Sequence, residues 1–346
     1  MLKHFKGSLA FTVVALVLAA WLGWQASGGA GAASTLFIVA VLGVLEVSLS
    51  FDNAVVNAKI LGDMDEVWRH RFLTWGIAIA VFGMRVVFPL VIVAVIAWIS
   101  PWEAAVMAFT DPKHYAEVLT SAHVSVSAFG GAFLMMVGLK HFLDRDKDVH
   151  WLEAIEAPLA RLGRIEAVQL AMVMVLMYVV SRQVPPEEQV AFLVAGIFGL
   201  VTYILVDGLG AIMEDASDTG AERAARAGFG AFMYLEVLDA SFSFDGVIGA
   251  FALSTNLVVI ALGLGIGAMF VRSLTVMLVD KGTLTEYRYL EHGAFYAIIA
   301  LGAIMFLQGF MHIPELVTGL IGAGFIVLSL VASVRYNRAH AGEADE

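Results

Sequence analysis

Glu46, Asp52, Glu236, Asp239 and Asp245 lie within apolar stretches long enough to cross a bilayer. They belong to two segments that echo each other, Glu46-Val47-Ser48-Leu49-Ser50-Phe51-Asp52-Asn53 and Asp239-Ala240-Ser241-Phe242-Ser243-Phe244-Asp245-Gly246. An ionised acid at a bilayer centre costs roughly 2.5–3.5 kcal/mol on insertion scales, so these acids together would cost on the order of 12–17 kcal/mol if left uncompensated. That is comparable to the whole stability of a typical domain, about 5–15 kcal/mol. Pairing, protonation or a bound ion must offset it, and intramembrane acids are by default functional-site candidates.

On a regular helix Glu46, Ser50, Asn53 and Asn57 form one polar stripe, while Asp52 lies about 120° away beside Ser48. In the second copy Glu236, Asp239 and Ser243 share a face, and Asp245 pairs with Ser241 one turn away. Acids six residues apart do not converge on one point of an unbroken helix. The sequence therefore predicts unwinding around Phe51-Asp52-Asn53 and Phe244-Asp245-Gly246, which would free backbone carbonyls as ligands. Gly246 suits such a break because it relaxes the backbone cheaply. Carboxylate, amide and hydroxyl oxygens favour the hard cations Mg²⁺, Ca²⁺ and Mn²⁺. Neither motif contains Cys or His, which makes Zn²⁺, Cu⁺ and Ni²⁺ poorer candidates. The acids exceed what one divalent ion neutralises, so protons should share the site, which suggests cation/proton exchange. Arg85 and Arg272 fall inside spans as charge-compensating or gating groups; were they to balance the acids alone, the cluster would be buried glue.

The elements that must position these groups are membrane helices. The chain has 346 residues, 60% hydrophobic and 15% charged, with a mean hydropathy of +0.86, against roughly 25% charged in soluble domains. The absence of Cys excludes disulfides, thiolate metal sites and cysteine nucleophiles. A formal net charge of -11 argues against a nucleic-acid partner. Apolar windows of about 20 residues place spans near 7–24, 35–58, 72–99, 126–143, 166–181, 190–213, 229–255, 257–279, 292–311 and 315–334. With that arrangement the 20 lysines and arginines fall almost entirely on one side; the other side holds Lys113 and Arg182, and Arg85 and Arg272 are within spans. The positive-inside rule then puts both termini in the cytoplasm. The first span could pass for a secretory signal; its length favours a retained helix.

Five crossings separate the two motifs, so the second copy is inverted relative to the first. The following spans extend the echo, Thr74-Trp75-Gly76-Ile77 through Arg85 against Gly263-Leu264-Gly265-Ile266 through Arg272. The expected fold is an all-α polytopic membrane protein of about ten transmembrane helices, with an inverted three-helix repeat and two broken motif helices. Its parts are an N-terminal helix and linker (1–34), a first repeat (35–143), an interfacial helix with two inserted spans (144–228), a second repeat (229–311), and a last span with a polar tail (312–346). Trp151 to Leu159 reads as an interfacial helix, and Pro101 to His123 as one or two short helices over the outer mouth. Asp207 reads as a solvated cap, and Glu291 with His292 as a helix terminus or vestibule pair.

Ser48-Leu49-Ser50-Phe51-Asp52-Asn53-Ala54-Val55-Val56-Asn57-Ala58 and Tyr234-Leu235-Glu236-Val237-Leu238-Asp239-Ala240-Ser241-Phe242-Ser243-Phe244-Asp245-Gly246 resemble the signatures of the TerC family, closest to its long bacterial subgroup. The likeness extends through Leu73-Thr74-Trp75-Gly76 and Tyr289-Leu290-Glu291-His292-Gly293-Ala294. The family includes manganese exporters of the bacterial inner membrane, was first associated with tellurite resistance, and is grouped with the wider LysE superfamily. Taken with the site chemistry above, the resemblance implies a secondary transporter, not an enzyme, that exports Mn²⁺ or Ca²⁺ in exchange for protons. It implies a metal site of Glu46, Asp52, Asn53, Glu236, Asp239 and Asp245, beside which Ser48, Ser50, Asn57, Ser241 and Ser243 read from the sequence as supporting polar groups. The partners are the bilayer, the ion as substrate and protons, with no permanent cofactor and a homodimer left open. Two other readings compete: an exporter of small organic solutes, and a membrane hydrolase or non-transporting subunit of a stress-resistance complex.

Overall fold

The computed structural model describes the chain apart from Met1, Ile77, Arg145, Asp146, Asp148 and residues 164–166, 216–219 and 341–346; side chains are also left undescribed at Leu2, Asp63, Leu73, 209–215, 220–227, Phe244, Asp245 and Glu315. All regular elements among the described residues are helical. In chain order they are α1 (Leu2–Leu49), α2 (Phe51–Asp63), α3 (Glu66–Arg71), the π-helical segments π1 (Phe72–Gly76) and π2 (Ile79–Val87), α4 (Phe88–Ala97), α5 (Pro101–Thr110), α6 (Pro112–Ser121), α7 (His123–Leu143), α8 (Glu153–Leu162), α9 (Val168–Ser181), α10 (Gln189–Asp215), α11 (Gly220–Leu253), α12 (Leu257–Asp280), α13 (Thr283–Glu286), α14 (Leu290–Leu307) and α15 (Glu315–Ala339).

Among the described residues 7 helices are long and apolar enough to cross a membrane: α1, π2 with α4, α7, α10, α12, α14 and α15. The first expected span and the start of the second are one helical stretch, broken at Ser27 (φ -152°, ψ 26°) and Gly28 (φ 63°, ψ -146°). The two arms fold back on each other there. A Cβ on Gly23 would lie 2.3 Å from the Gly31 carbonyl oxygen, a distance no straight helix allows between residues two turns apart. Gly28 takes a left-handed φ at little cost because it has no Cβ. Apolar residues of both arms, Ala15, Ala19 and Val39, then bury against Val259 and Ile266 of α12.

The second arm of α1 and α12 approach closely through small residues, as membrane helices do where dispersion replaces the hydrophobic effect. A Cβ on Gly263 would stand 2.6 Å from that of Leu42, and one on Gly267 would stand 2.3 Å from both Cβ and Cγ of Glu46. Glycine at 267 is thus the space through which the Glu46 stem passes. Nearly all of α7 is buried, where Phe133, Leu134 and Met136 pack against α10 and α14. The expected pair of short helices after Pro101 is present as α5 and α6.

The two broken motif helices are corrected. The first interruption is one residue, Ser50 (φ -107°, ψ 19°), and the ladder nearly survives it: the Ser50 amide donates to the Glu46 carbonyl at 3.0 Å and the Ala54 amide to that of Ser50 at 3.2 Å. The second motif has no interruption, since α11 runs through residues 244–246. Gly246 serves closeness instead of unwinding: its missing Cβ would sit 3.0 Å from Glu46 Oε2. The distortion falls on the span that follows the first motif, where π1 and π2 replace regular helix. Such wide turns are rare and recur at functional sites.

Candidate functional site

The stripe expected on the first motif is present. Glu46, Ser50, Asn53 and Asn57 line a cavity of about 40 Å³, counted as space open to the centre of a water-sized sphere, together with Glu236 and Asp239 of α11, Arg85 of π2, and Arg272 and Thr275 of α12. Water needs roughly 10–15 Å³ on that measure, so there is room for a few oxygen atoms. Glu46, Asn53, Asn57, Arg85 and Glu236 are all buried.

One ion pair and one amide bridge hold the cavity together. The Arg85 guanidinium donates to Glu46 Oε1 and to the Ala80 carbonyl, and Ser50 Oγ reaches the same Glu46 oxygen at 3.4 Å. Asn53 Nδ2 donates to Asp239 Oδ1 at 3.0 Å, which joins the two motifs across 186 positions of sequence. The remaining oxygens are left over. Both Glu236 oxygens, Asp239 Oδ2, and the side-chain carbonyl oxygens of Asn53 and Asn57 are buried without a hydrogen-bond partner among the described residues. Buried polar atoms are ordinarily paired, and an orphan costs about 1–3 kcal/mol. Their convergence on one cavity marks it as unfinished.

Asp52 stands apart, as its helical angle requires. With Glu46 and Ser50 it lines a second cavity of about 30 Å³, closed by Phe242 and Gly246 of α11, Ala297 and Leu301 of α14, and Thr318 and Gly322 of α15. Asp52 Oδ2 lies 3.4 Å from where a Cβ on Gly322 would be. Glu46 and Ser50 are therefore shared, and the two small polar spaces are in series. The side chain of Asp245 lies outside the described residues.

The serines divide. Ser50 lines both cavities. Ser48 is exposed and bonds back to the Val44 carbonyl at 2.8 Å, so its expected supporting role is corrected. Ser241 is buried but donates to the Val237 carbonyl of its own helix at 2.9 Å; Ser243 is buried outside both cavity linings. Arg272 lines the first cavity beside Thr275. Asp207 pairs with Lys140. Among the described residues no group of three or more His, Cys, Asp or Glu is placed to hold a metal ion.

A second polar cluster was missed by sequence reasoning. Glu156, within the segment read as an interfacial helix, is buried on α8. It accepts from the Trp151 and Leu152 amides and from the Tyr296 hydroxyl, each at 3.2 Å, and from Lys147 Nζ at 3.4 Å. His292 Nε2 and His150 Nδ1 lie 3.4 and 3.5 Å away. Burial pushes the Glu156 pKa up, yet the Leu152 amide, Lys147 and His292 outweigh it and hold the carboxyl below its ordinary value. Burial in turn lowers Lys147. Glu291, read as a terminus or vestibule residue, sits 3.6 Å from both Lys59 and His141. The sequence signal was the gathering of His141, Lys147 and His150 near one span end; the partners His292 and Tyr296 are too distant in the chain to be matched by eye.

No curated protein and no solved structure matches the chain. A family model does, over residues 51–340, a range that holds Asp52, Asn53, both arginines and the whole second motif. On that match this helical membrane chain belongs to the family described as Protein of unknown function (DUF475).

Proposed function

We propose that the chain is a secondary transporter of a divalent cation, Mn²⁺ or Ca²⁺, working in exchange for protons. The observation that carries this reading is the set of orphaned oxygens of Asn53, Asn57, Glu236 and Asp239 facing one buried cavity. All are hard donors of the kind that replace water around such ions. A carboxylate with neither oxygen engaged among the described residues, Glu236, beside one with a single oxygen engaged, Asp239, favours either protons or a cation, and exchanging one for the other is the elementary step of an antiporter. Arg85 is a built-in rival for Glu46: it holds that carboxylate and must yield it if the ion is to pass between the two cavities. The resemblance to the TerC family supports Mn²⁺, export from the cytoplasm, and a bacterial inner-membrane location with both termini cytoplasmic.

In this reading the chain crosses the membrane ten times and its halves are inverted copies. Reciprocal contacts support the symmetry. Glu46 and Asp239 occupy equivalent places, as do Asn53 and Gly246; Asn53 bonds Asp239 while Glu46 fills the space at Gly246. Gly43 and Glu236 are likewise equivalent: the first lets α12 approach, since a Cβ there would meet the Gly263 carbonyl at 3.4 Å, and the second reaches the span after the first motif, where a Cβ on Gly76 would meet its Oε1 at 3.0 Å. Helix packing follows suit: α2 touches α12 and α14, while α11 touches π2 and α7.

The test is flux into proteoliposomes. Purified protein should move Mn²⁺ or Ca²⁺ with opposite movement of protons, and Glu236→Gln combined with Asp239→Asn should abolish it. Flux of neither ion, or flux that persists in the double variant, would overturn the proposal.

A further inference from the structure

On the far side of π2 from the acids lies the largest of the cavities described, about 430 Å³. Its walls are Phe11 and Leu18 of α1, Phe82 and Val86 of π2, and Ala261 of α12, with Phe109 of α5 as a roof. None of its lining residues is polar. Val81 borders both this groove and the polar cavity, so one turn of π2 separates them, and the same segment carries Arg85.

The occupant follows from the lining and the mouth. Water has no partners there, and an apolar space of this size left empty forfeits the dispersion contacts of its walls. The rim residues Val14, Phe82 and Phe109 are exposed on an apolar face, so what enters comes from the hydrocarbon of the membrane. The level is fixed by two tryptophans beside the roof. Trp98, at the end of α4, is 94% exposed and Trp102, on α5, is 76% exposed. Trp98 also adopts a left-handed φ of 55°, unusual for a bulky residue. Tryptophans so displayed sit at the headgroup level of a bilayer, and Trp102 lies one turn along α5 from Ala105 of the groove lining.

We propose that this groove is a binding site for one acyl chain of a phospholipid, and that the bound chain braces π2 and thereby the pairing of Arg85 with Glu46. The chain replaces missing protein atoms behind Val81, so its departure loosens the segment that holds the guanidinium in place. This inference does not depend on what the polar site carries.

The full-length protein in nanodiscs of a phospholipid with brominated acyl chains provides the test. Cryo-electron microscopy should show bromine density between Phe82 and Phe109, and Ala261→Phe, which fills the groove from α12, should remove it. Hydrogen exchange across residues 79–87 should accelerate at least threefold when the wild type is moved from long-chain lipid to a short-chain lipid. The Ala261→Phe protein should not respond, and Ala105→Phe, which fills from the roof, should behave alike. A groove closed by its own side chains, or exchange indifferent to lipid in the wild type, would overturn the proposal. Loss of cation flux without these changes would bear on the transporter reading and leave the lipid site standing.

Discussion

Glu156 and Glu236 are both withdrawn from solvent, at 1% and 6% exposure, yet they are opposites. Around Glu156 stand two amides, a phenol, a lysine and two imidazoles. Around Glu236 no hydrogen-bond donor is engaged among the described residues. A buried charge with every oxygen satisfied belongs to the architecture, tying α8 to α14. A buried carboxyl with none satisfied is held in place at a cost by the rest of the fold, and the cost is explained if something outside the chain completes it. Burial alone does not separate structural from functional acids; the tally of donors does.

Substitutions can break that comparison. The largest expected effect is on Glu156→Ala, which strands Lys147 and two amides. Removing one partner of a buried pair costs about 3–5 kcal/mol, so thermal unfolding in detergent should shift down by many degrees while flux per folded molecule is retained. An unchanged midpoint would show that the cluster is incidental. Glu236→Gln should do the reverse, lowering flux a hundredfold or more, about 2.7 kcal/mol of barrier, with a melting midpoint equal to the wild type or higher. A large drop in that midpoint would return Glu236 to the structural class.

Smaller effects sharpen the contrast. Gly267→Ala places a methyl 2.3 Å from the stem of Glu46, and overpacking of this sort costs about 1–3 kcal/mol; flux should suffer alongside stability, since Glu46 borders both polar cavities. The smallest effect is the pH profile of Glu156. Its folded pKa lies below the ordinary carboxylate value, so its contribution is fully present above that value and fades as the pH falls through the folded pKa. Melting midpoints should therefore decline on acidification below the ordinary carboxylate range, and the Glu156→Gln protein should lose that part of the decline.

Much of the polar site was legible because helical periodicity is a local property. Glu46, Ser50, Asn53 and Asn57 fall on one face whatever surrounds them, and Asp52 falls off it; both consequences appear in the cavities. The meeting of Asn53 with Asp239 was legible only through the internal echo, which lets one half stand as a template for the other. The unwinding expected at the motifs is confined to Ser50 in the first and absent from the second, for an instructive reason. The acids were assumed to need one meeting point, whereas Glu46 is shared between two spaces and little unwinding is required. The π-helical turns had no local signature, since Phe72 to Val87 reads as ordinary apolar helix. Glu156 was hidden because its partners come from α14 and from the segment before α8, a contact that only tertiary structure creates.

The π-helical stretch carries one further consequence. Its ladder holds an extra residue per turn relative to an α-helix, and relaxing one such turn would rotate everything beyond it by about 100°. Arg85 sits in the last turn of π2, so that single slip of register would swing its guanidinium off Glu46 without unfolding the span, turning α4 against α5 and α6 as it goes. A screw of this kind would let the chain switch between a locked and an open carboxylate with a helix that stays the same length to within a residue's rise.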